Sequence, residues 1–286
     1  HDGYLDYQTR NPESGLANQC WKDSWNSIVW PDGRLTSLPR ATCEIQGYAY
    51  DARIRTARLA REIWGDGLLA DRLERDAAAL QERFLSDFWL PEQGFYALAL
   101  DGEKQAIPTL TSNIGHLLWS GIVPEEHVDQ VVGHLLGPWL FSGWGVRTMA
   151  AGQAAYNPLE YHNGTVWPHD TALIAAGLAR YGRRVEAGRL SVAILEAARH
   201  FDYRLPEVFV GYDRKSTALP VAYPTACSPQ AWAAGTPLLL LRVMLGLEPG
   251  PDGLAVDPAV PDEIGHLALR GIPGRWGRND AISRKH

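Results

Sequence analysis

Short turns inside helix pairs and long broken loops between the pairs set the plan of this chain. Apolar residues recur at intervals of three and four in Leu69, Leu73, Ala77, Leu80, Phe84 and Phe88, and an earlier helix starts with Ile45, Tyr48, Ala49 and Ala52. Only Gly65-Asp66-Gly67 separates the two, which predicts an antiparallel pair joined by a tight turn. The same rhythm returns in Pro168 to Tyr181 and Val185 to Phe201, across Gly182. Further helices are expected from Ser112 to Ile122 and from Pro124 to Leu136. Ser228-Pro229 reads as the N-cap and first turn of another, reaching Leu247. Gly94 to Leu100 is a strand candidate, ended by the turn signal Asp101-Gly102. About seven helices in pairs are the rhythm of an all-α helical toroid, with one layer of helices inside, one outside, and the long loops at one rim. The helical domain is read as 1–247. The Pro/Gly-rich tail, 248–286, adds a few strands or stays partly disordered.

At 286 residues the chain has ample length for a core. Lys and Arg number 27 against 33 Asp and Glu, so there is no basic excess for nucleic acid or a membrane surface. The longest apolar run, Ala231 to Leu241, is too short to span a bilayer. Cys20, Cys43 and Cys227 show no C-x-x-C spacing, which argues against a disulfide framework and a zinc site and fits a reducing, cytoplasmic setting. No metal or other cofactor is expected. The 11 tryptophans matter because Trp21, Trp25, Trp30, Trp144 and Trp167 lie beside Gly, Asn, Pro or Asp, as ligand-binding aromatics do.

The polar clusters all fall on loops between pairs, where binding residues concentrate. The densest runs from Tyr161 through His162, Asn163, Trp167 and Pro168 to His169 and Asp170, directly before the apolar Ala172-Leu173-Ile174. Pro168 suits the first turn of a helix. Aromatic faces beside amide, imidazole and carboxylate groups are what a sugar pocket needs: C–H faces stack on rings and hydroxyls take directional hydrogen bonds. A plainer reading makes Tyr161 and Trp167 wedges that fix the loop to the core. Two more loops hold lone carboxylates. Asp23 stands between Lys22 and Ser24, flanked by Trp21 and Trp25; Glu207 stands amid Leu205, Pro206, Val208 and Phe209. Each could equally be a turn or surface carboxylate. Taken together, two separated carboxylates beside aromatics are the minimum for glycoside hydrolysis. No serine nucleophile elbow, phosphate-cradling glycine loop or metal-spaced histidine cluster competes with them.

Seven motifs occur in order: Asn18-Gln19-Cys20-Trp21-Lys22-Asp23-Ser24, Cys43-Glu44-Ile45-Gln46-Gly47-Tyr48, Thr111-Ser112-Asn113-Ile114-Gly115-His116, Phe141 to Thr148, Tyr161 to Asp170, Leu205-Pro206-Glu207 and Cys227-Ser228-Pro229-Gln230-Ala231-Trp232. Together they resemble the amylo-α-1,6-glucosidase-like proteins, whose helical domain is similar to the glucosidase domain of glycogen debranching enzymes. The resemblance implies an (α/α)6 toroid and inverting hydrolysis of an α-glucan or a small α-glucoside, at an α-1,6 branch or a short α-linkage. It also implies that Asp23, in a Trp-x-Asp motif, is the general acid and Glu207, in a Leu-Pro-Glu motif, the general base. Inversion would place their carboxyl groups roughly 6.5–9.5 Å apart, against about 5 Å for a retaining pair. Asp23, Trp167 and Glu207 should then share one rim, with Asp23 desolvated by Trp21 and Trp25. Trp21, Lys22, Trp144, Arg147, Tyr161, His162, Asn163, Trp167, His169, Asp170, Gln230 and Trp232 are the expected substrate-binding residues.

Such proteins usually carry an upstream β-sandwich and further barrel helices. This chain is therefore expected to lack part of the ring, which a missing N-terminal segment or a second chain would complete. Two other readings stay open. The first is a non-catalytic sugar-binding remnant that kept the aromatic rim. The second is a polysaccharide lyase or sugar epimerase on a related toroid, using Tyr161, His162, Asn163 and Arg147.

Overall fold

The computed structural model describes residues 2–283. They fall into two units: residues up to Leu140 with Arg147–Thr165, and Phe141–Val146 with the chain from Val166 onward. Seven α-helices lie among the described residues, with short strands between them.

In the first unit the opening forty residues form no long element and are pinned by scattered bonds. Tyr7 and Arg40 exchange both backbone hydrogen bonds at 3.0 Å. The Gln46 side chain donates to Leu5 O at 2.7 Å and accepts from Leu5 N at 3.0 Å. Strand β1 (Ala41–Thr42) runs directly into α1 (Cys43–Leu59), which continues as a π-helical turn over Ala60–Trp64 and stops at Gly65 with φ of 69°. After Asp66, whose carboxylate caps Leu69 N at 2.9 Å, comes α2 (Gly67–Phe88). This is the antiparallel pair that the spacing predicts. Ala57, Ala60 and Ala70 form its buried seam, with Leu69 and Leu73 packed against it. Such small residues let two helices approach closely.

The expected strand over Gly94–Leu100 is split in two. Phe95–Tyr96 (β3) pairs antiparallel with Trp89–Leu90 (β2), whereas Ala99–Leu100 (β4) pairs with β1. Between them Ala97 N donates to Phe88 O and Leu98 N to Ile107 O, so the chain changes partners at Ala97. Helices α3 (Asn113–Ser120) and α4 (Glu125–Leu136) follow. At the α1–α3 contact, a Cβ on Gly47 would lie 2.7 Å from Ser120 Oγ, which is why no side chain is carried there. Phe84 stacks on Phe88 at 4.6 Å and on Tyr96 at 5.2 Å, closing the core under α2.

The second unit contains α5 (Pro168–Arg180), α6 (Arg184–Ala198) and α7 (Ala231–Leu245). Pro168 occupies the first turn of α5, where its missing N–H leaves nothing unsatisfied. Helices α5 and α6 form the hairpin expected across Gly182, and α7 packs on both. The expected cap of α7 at Ser228 is corrected: the cap is Gln230, whose Oε1 accepts from Trp232 N at 2.6 Å and Ala233 N at 3.3 Å. Beyond α7 the tail makes two hairpins, Leu247–Pro249 (β5) with Leu254–Val256 (β6) and Ala268–Gly274 (β7) with Gly277–Ile282 (β8). Its end, 284–286, lies outside the described residues. No helix among the described residues is long and apolar enough to cross a membrane.

Phe84 is fully buried and Leu68 is 86% exposed. Phe84→Ala should therefore lower stability by about 3–5 kcal/mol, read as a drop in the denaturant midpoint. Leu68→Ala should stay within about 0.5 kcal/mol.

Candidate active site

The loop carrying Asp23 is built around one buried amide. Asn18 Oδ1 accepts from Tyr7 OH at 2.9 Å and from Arg40 Nη1 at 2.5 Å. Asn18 Nδ2 donates to Ser24 O at 2.7 Å and to Ser27 Oγ at 3.2 Å. An asparagine amide has two acceptor and two donor positions, and all four are filled. Ser27 Oγ in turn bonds Lys22 O, so the turn from 18 to 27 closes on itself.

Asp23 rides this turn exposed to solvent. The expected desolvation by Trp21 and Trp25 is not seen: Trp25 is 65% exposed and leaves the carboxylate uncovered. Trp21 is half-buried, stacked on His116 at 5.5 Å and met edge-on by His162 at 5.6 Å. Lys22, one of the expected substrate-binding residues, is fully buried with Nζ donating to Thr148 O, the carbonyl that also accepts from Ser112 N.

Three hydrogen bonds tie this turn to the Glu160–Thr165 segment. Asn26 Nδ2 donates to Glu160 Oε1 at 3.1 Å, Asn163 Nδ2 donates to Asn26 O at 2.9 Å, and Ser24 Oγ lies 2.7 Å from His162 Nδ1. Tyr161 is half-buried, its ring 4.6 Å from that of His162. A Cβ on Gly164 would strike the Asn157 carbonyl, so only glycine fits there. His162 and Asn163 are thus buried and brace the turn that carries Asp23, through His162 Nδ1 and Asn163 Nδ2. Arg147 is buried, and its Nη1 donates to Pro138 O at 3.1 Å and Trp139 O at 3.4 Å.

Sequence reasoning missed roles for Asn18, Tyr48, His116 and Glu44, although their motifs were visible. Tyr48 OH bonds His116 Nδ1 and so fixes the ring beneath Trp21. Glu44 is fully buried, and its Oε1 has no hydrogen-bond partner. Burial pushes the Cys20 thiol up to about 12, and the Glu44 charge adds to the rise. The fully buried Cys43 thiol is held well above its usual value, again by burial first and Glu44 second.

The loop carrying Glu207 is held mainly by main chain, and lies in the second unit. Val166 and Phe209 exchange backbone hydrogen bonds at 2.9 and 3.0 Å, and Phe209 also bridges to Ala222. Glu207, two residues before Phe209, is half-exposed between buried neighbours on both sides. Its N–H donates to Cys227 O at 3.0 Å, and its Oε2 accepts from Cys227 N at 3.2 Å. Beside this strand Trp167 is buried, while Trp232 at the start of α7 is 46% exposed. The His169 ring meets Trp232 edge-on at 4.2 Å and Trp167 edge-on at 5.6 Å. Trp232 is therefore partly open to solvent, and buried Trp167 fits the wedge of the plainer reading.

Three further expected residues lie in this unit. Trp144 is buried, with the Arg214 guanidinium 4.1 Å over its ring and His200 edge-on at 5.8 Å. Asp170 is fully buried in the first turn of α5. Gln230 spends its carbonyl as a helix cap.

An exposed carboxylic acid can deliver a proton, and a carboxylate fixed by a backbone N–H can receive one from water. The thiols provide a direct check on the surroundings of the acid loop. Cys227 is exposed and should react with an aromatic disulfide reagent at pH 8, while Cys20 and Cys43 should react only after unfolding. The Cys20 thiol ionises near 9.0 when unfolded and near 12 when folded. Between those pH values unfolding releases a proton the folded state keeps, so stability should fall as pH rises.

Structures of low sequence identity share the fold. Neutral trehalase Nth1 from Saccharomyces cerevisiae matches with a TM-score of 0.59 and 18% identity, over 78% of this chain and 41% of that one. The GH63 mannosylglycerate hydrolase from Thermus thermophilus, solved in complex with glucose, matches with a TM-score of 0.56 and 18% identity, over 70% of this chain and 47% of that one. A sialidase matches with a TM-score of 0.71 and 14% identity, over 96% of this chain and 28% of that one. The chain thus spans less than half the length of these structures. No curated protein matches it. Residues 7–212, well over half the sequence and including both carboxylate loops, match the mannosylglycerate hydrolase MGH1-like glycoside hydrolase domain, and the chain belongs to that family.

Proposed function

We propose that this chain hydrolyses a small α-linked glycoside with inversion, Asp23 acting as general acid and Glu207 as general base. The observation that carries the reading is the match over 7–212 to a glycoside hydrolase domain, which takes in both carboxylates. The names of the fold relatives, a trehalase and a mannosylglycerate hydrolase, favour a small substrate over a polymer. An α-1,6 branch remains the second linkage to test. The helix pairs are read as part of an (α/α)6 toroid, and three free thiols suit a reducing compartment such as the cytoplasm.

In the proposed step the Asp23 carboxyl gives its proton to the glycosidic oxygen as the bond from the anomeric carbon to that oxygen breaks. Glu207 takes a proton from a water whose oxygen bonds to the opposite face of the same carbon. One water is consumed, and the released sugar carries the inverted configuration. The hydrogen bond from Cys227 N orients the Glu207 side chain. The Trp232 ring supplies a stacking surface for a sugar face.

The test is incubation of the purified chain with small α-glycosides and an α-1,6-branched dextrin, with the anomer released followed by NMR. Inverted product is expected, and retained configuration would overturn the mechanism. Asp23→Asn should lower turnover of alkyl glycosides about 10²- to 10⁴-fold with binding largely intact. Glu207→Gln should abolish hydrolysis, with partial recovery in azide, which attacks without a base. The exposed Trp232 also fits a sugar binder without activity. Sugar binding with no turnover by the intact chain would establish that second reading.

A further inference from the structure

We infer that His162 is a positioning residue for the acid, aiming Asp23 through the hydroxyl of Ser24. The inference rests on the glycosidase reading above and deepens it. Asp23 is exposed, so burial against neighbours does not set its direction. A general acid must nevertheless sit within hydrogen-bond reach of the leaving oxygen, and a misplacement of about 1 Å can cost a hundredfold. Its direction is therefore set by the residues on either side.

One buried imidazole touches both sides. The edge of His162 meets the Trp21 ring, two residues before Asp23, and His162 Nδ1 lies 2.7 Å from the hydroxyl of Ser24, the residue after it. On the first side the ring stack is completed by His116, which Tyr48 holds. On the second side the Ser24 carbonyl already accepts from Asn18 Nδ2 and from Ser27 N at 3.1 Å, so the backbone of the turn does not need the hydroxyl. The Ser24–His162 bond is an added constraint, reaching across 138 residues of sequence to the residue next to the acid. Its effect falls on the orientation of Asp23 rather than on the existence of the turn.

Orientation of an acid and stability of a fold separate by leaving group. An alkyl glycoside needs its departing oxygen protonated; a 2,4-dinitrophenyl glycoside of the same sugar departs unaided. Ser24→Ala should lower kcat for the alkyl glycoside about 10- to 100-fold with KM unchanged, and change the dinitrophenyl glycoside by less than about threefold. Ser24→Thr, which restores the hydroxyl, and His162→Asn, which keeps a polar atom near the Nδ1 position, should each recover much of the loss. An equal loss on both substrates would mean the bond serves folding, and no loss on either would mean it serves nothing in catalysis; both outcomes overturn the inference while leaving the glycosidase reading in place. Failure of the unaltered chain to hydrolyse either substrate overturns that reading, and the inference with it.

Discussion

Shut away from water, the amide of Asn18 is tolerable only because Tyr7, Arg40, Ser24 and Ser27 fill both its acceptor sites and both its N–H groups. Through these four partners it joins the Tyr7–Arg40 bridge to the turn that carries Asp23. Replacing it would strand several buried groups at once, each worth about 1–3 kcal/mol. The turn from 18 to 27, which looks like loop in the sequence, is therefore closely determined. Its order comes mainly from side-chain hydrogen bonding, without a helix or a named strand to supply it.

The two carboxylate loops are held by different physics. The acid turn hangs on side chains: Asn18, Ser27, His162 and Asn163, with Lys22 Nζ on Thr148 O. The base loop hangs on main chain, through the exchange between Val166 and Phe209 and the reciprocal bonds between Glu207 and Cys227. A backbone ladder tolerates many side chains, whereas a side-chain lattice does not. Substitutions near Glu207 should be absorbed more easily than those near Asp23.

Much of the helical plan was legible because it is local. The 3.6-residue period, the Gly65–Gly67 turn and Pro168 at the first position of α5 each act within a few residues. The misread positions depend on distant partners. Lys22 looks like a substrate-binding cation, yet its buried Nζ donates a hydrogen bond to Thr148 O, 126 residues away. Trp144 looks like a rim aromatic until Arg214 and His200 cover it. The strand over 94–100 fails as one unit because its halves find different partners at Phe88–Leu90 and Ala41–Thr42. Motif order singled out Asp23 and Glu207 as candidates, and no local signal announced that His162 braces the turn beside Asp23.

The chain passes between its two units three times, after Leu140, after Val146 and after Thr165. No single cleavage can release either unit as one unbroken piece. A fragment ending at Leu140 would keep Asn18, Tyr48 and His116 but lose Thr148, Glu160, His162 and Asn163, and with them the anchors of Lys22, Ser24 and Asn26. Recombination that exchanged one unit for a homologous one would face the same difficulty, since any simple crossover point severs a closed set of partners. Genetically, then, the half carrying Asp23 and the half carrying Glu207 travel as a single module.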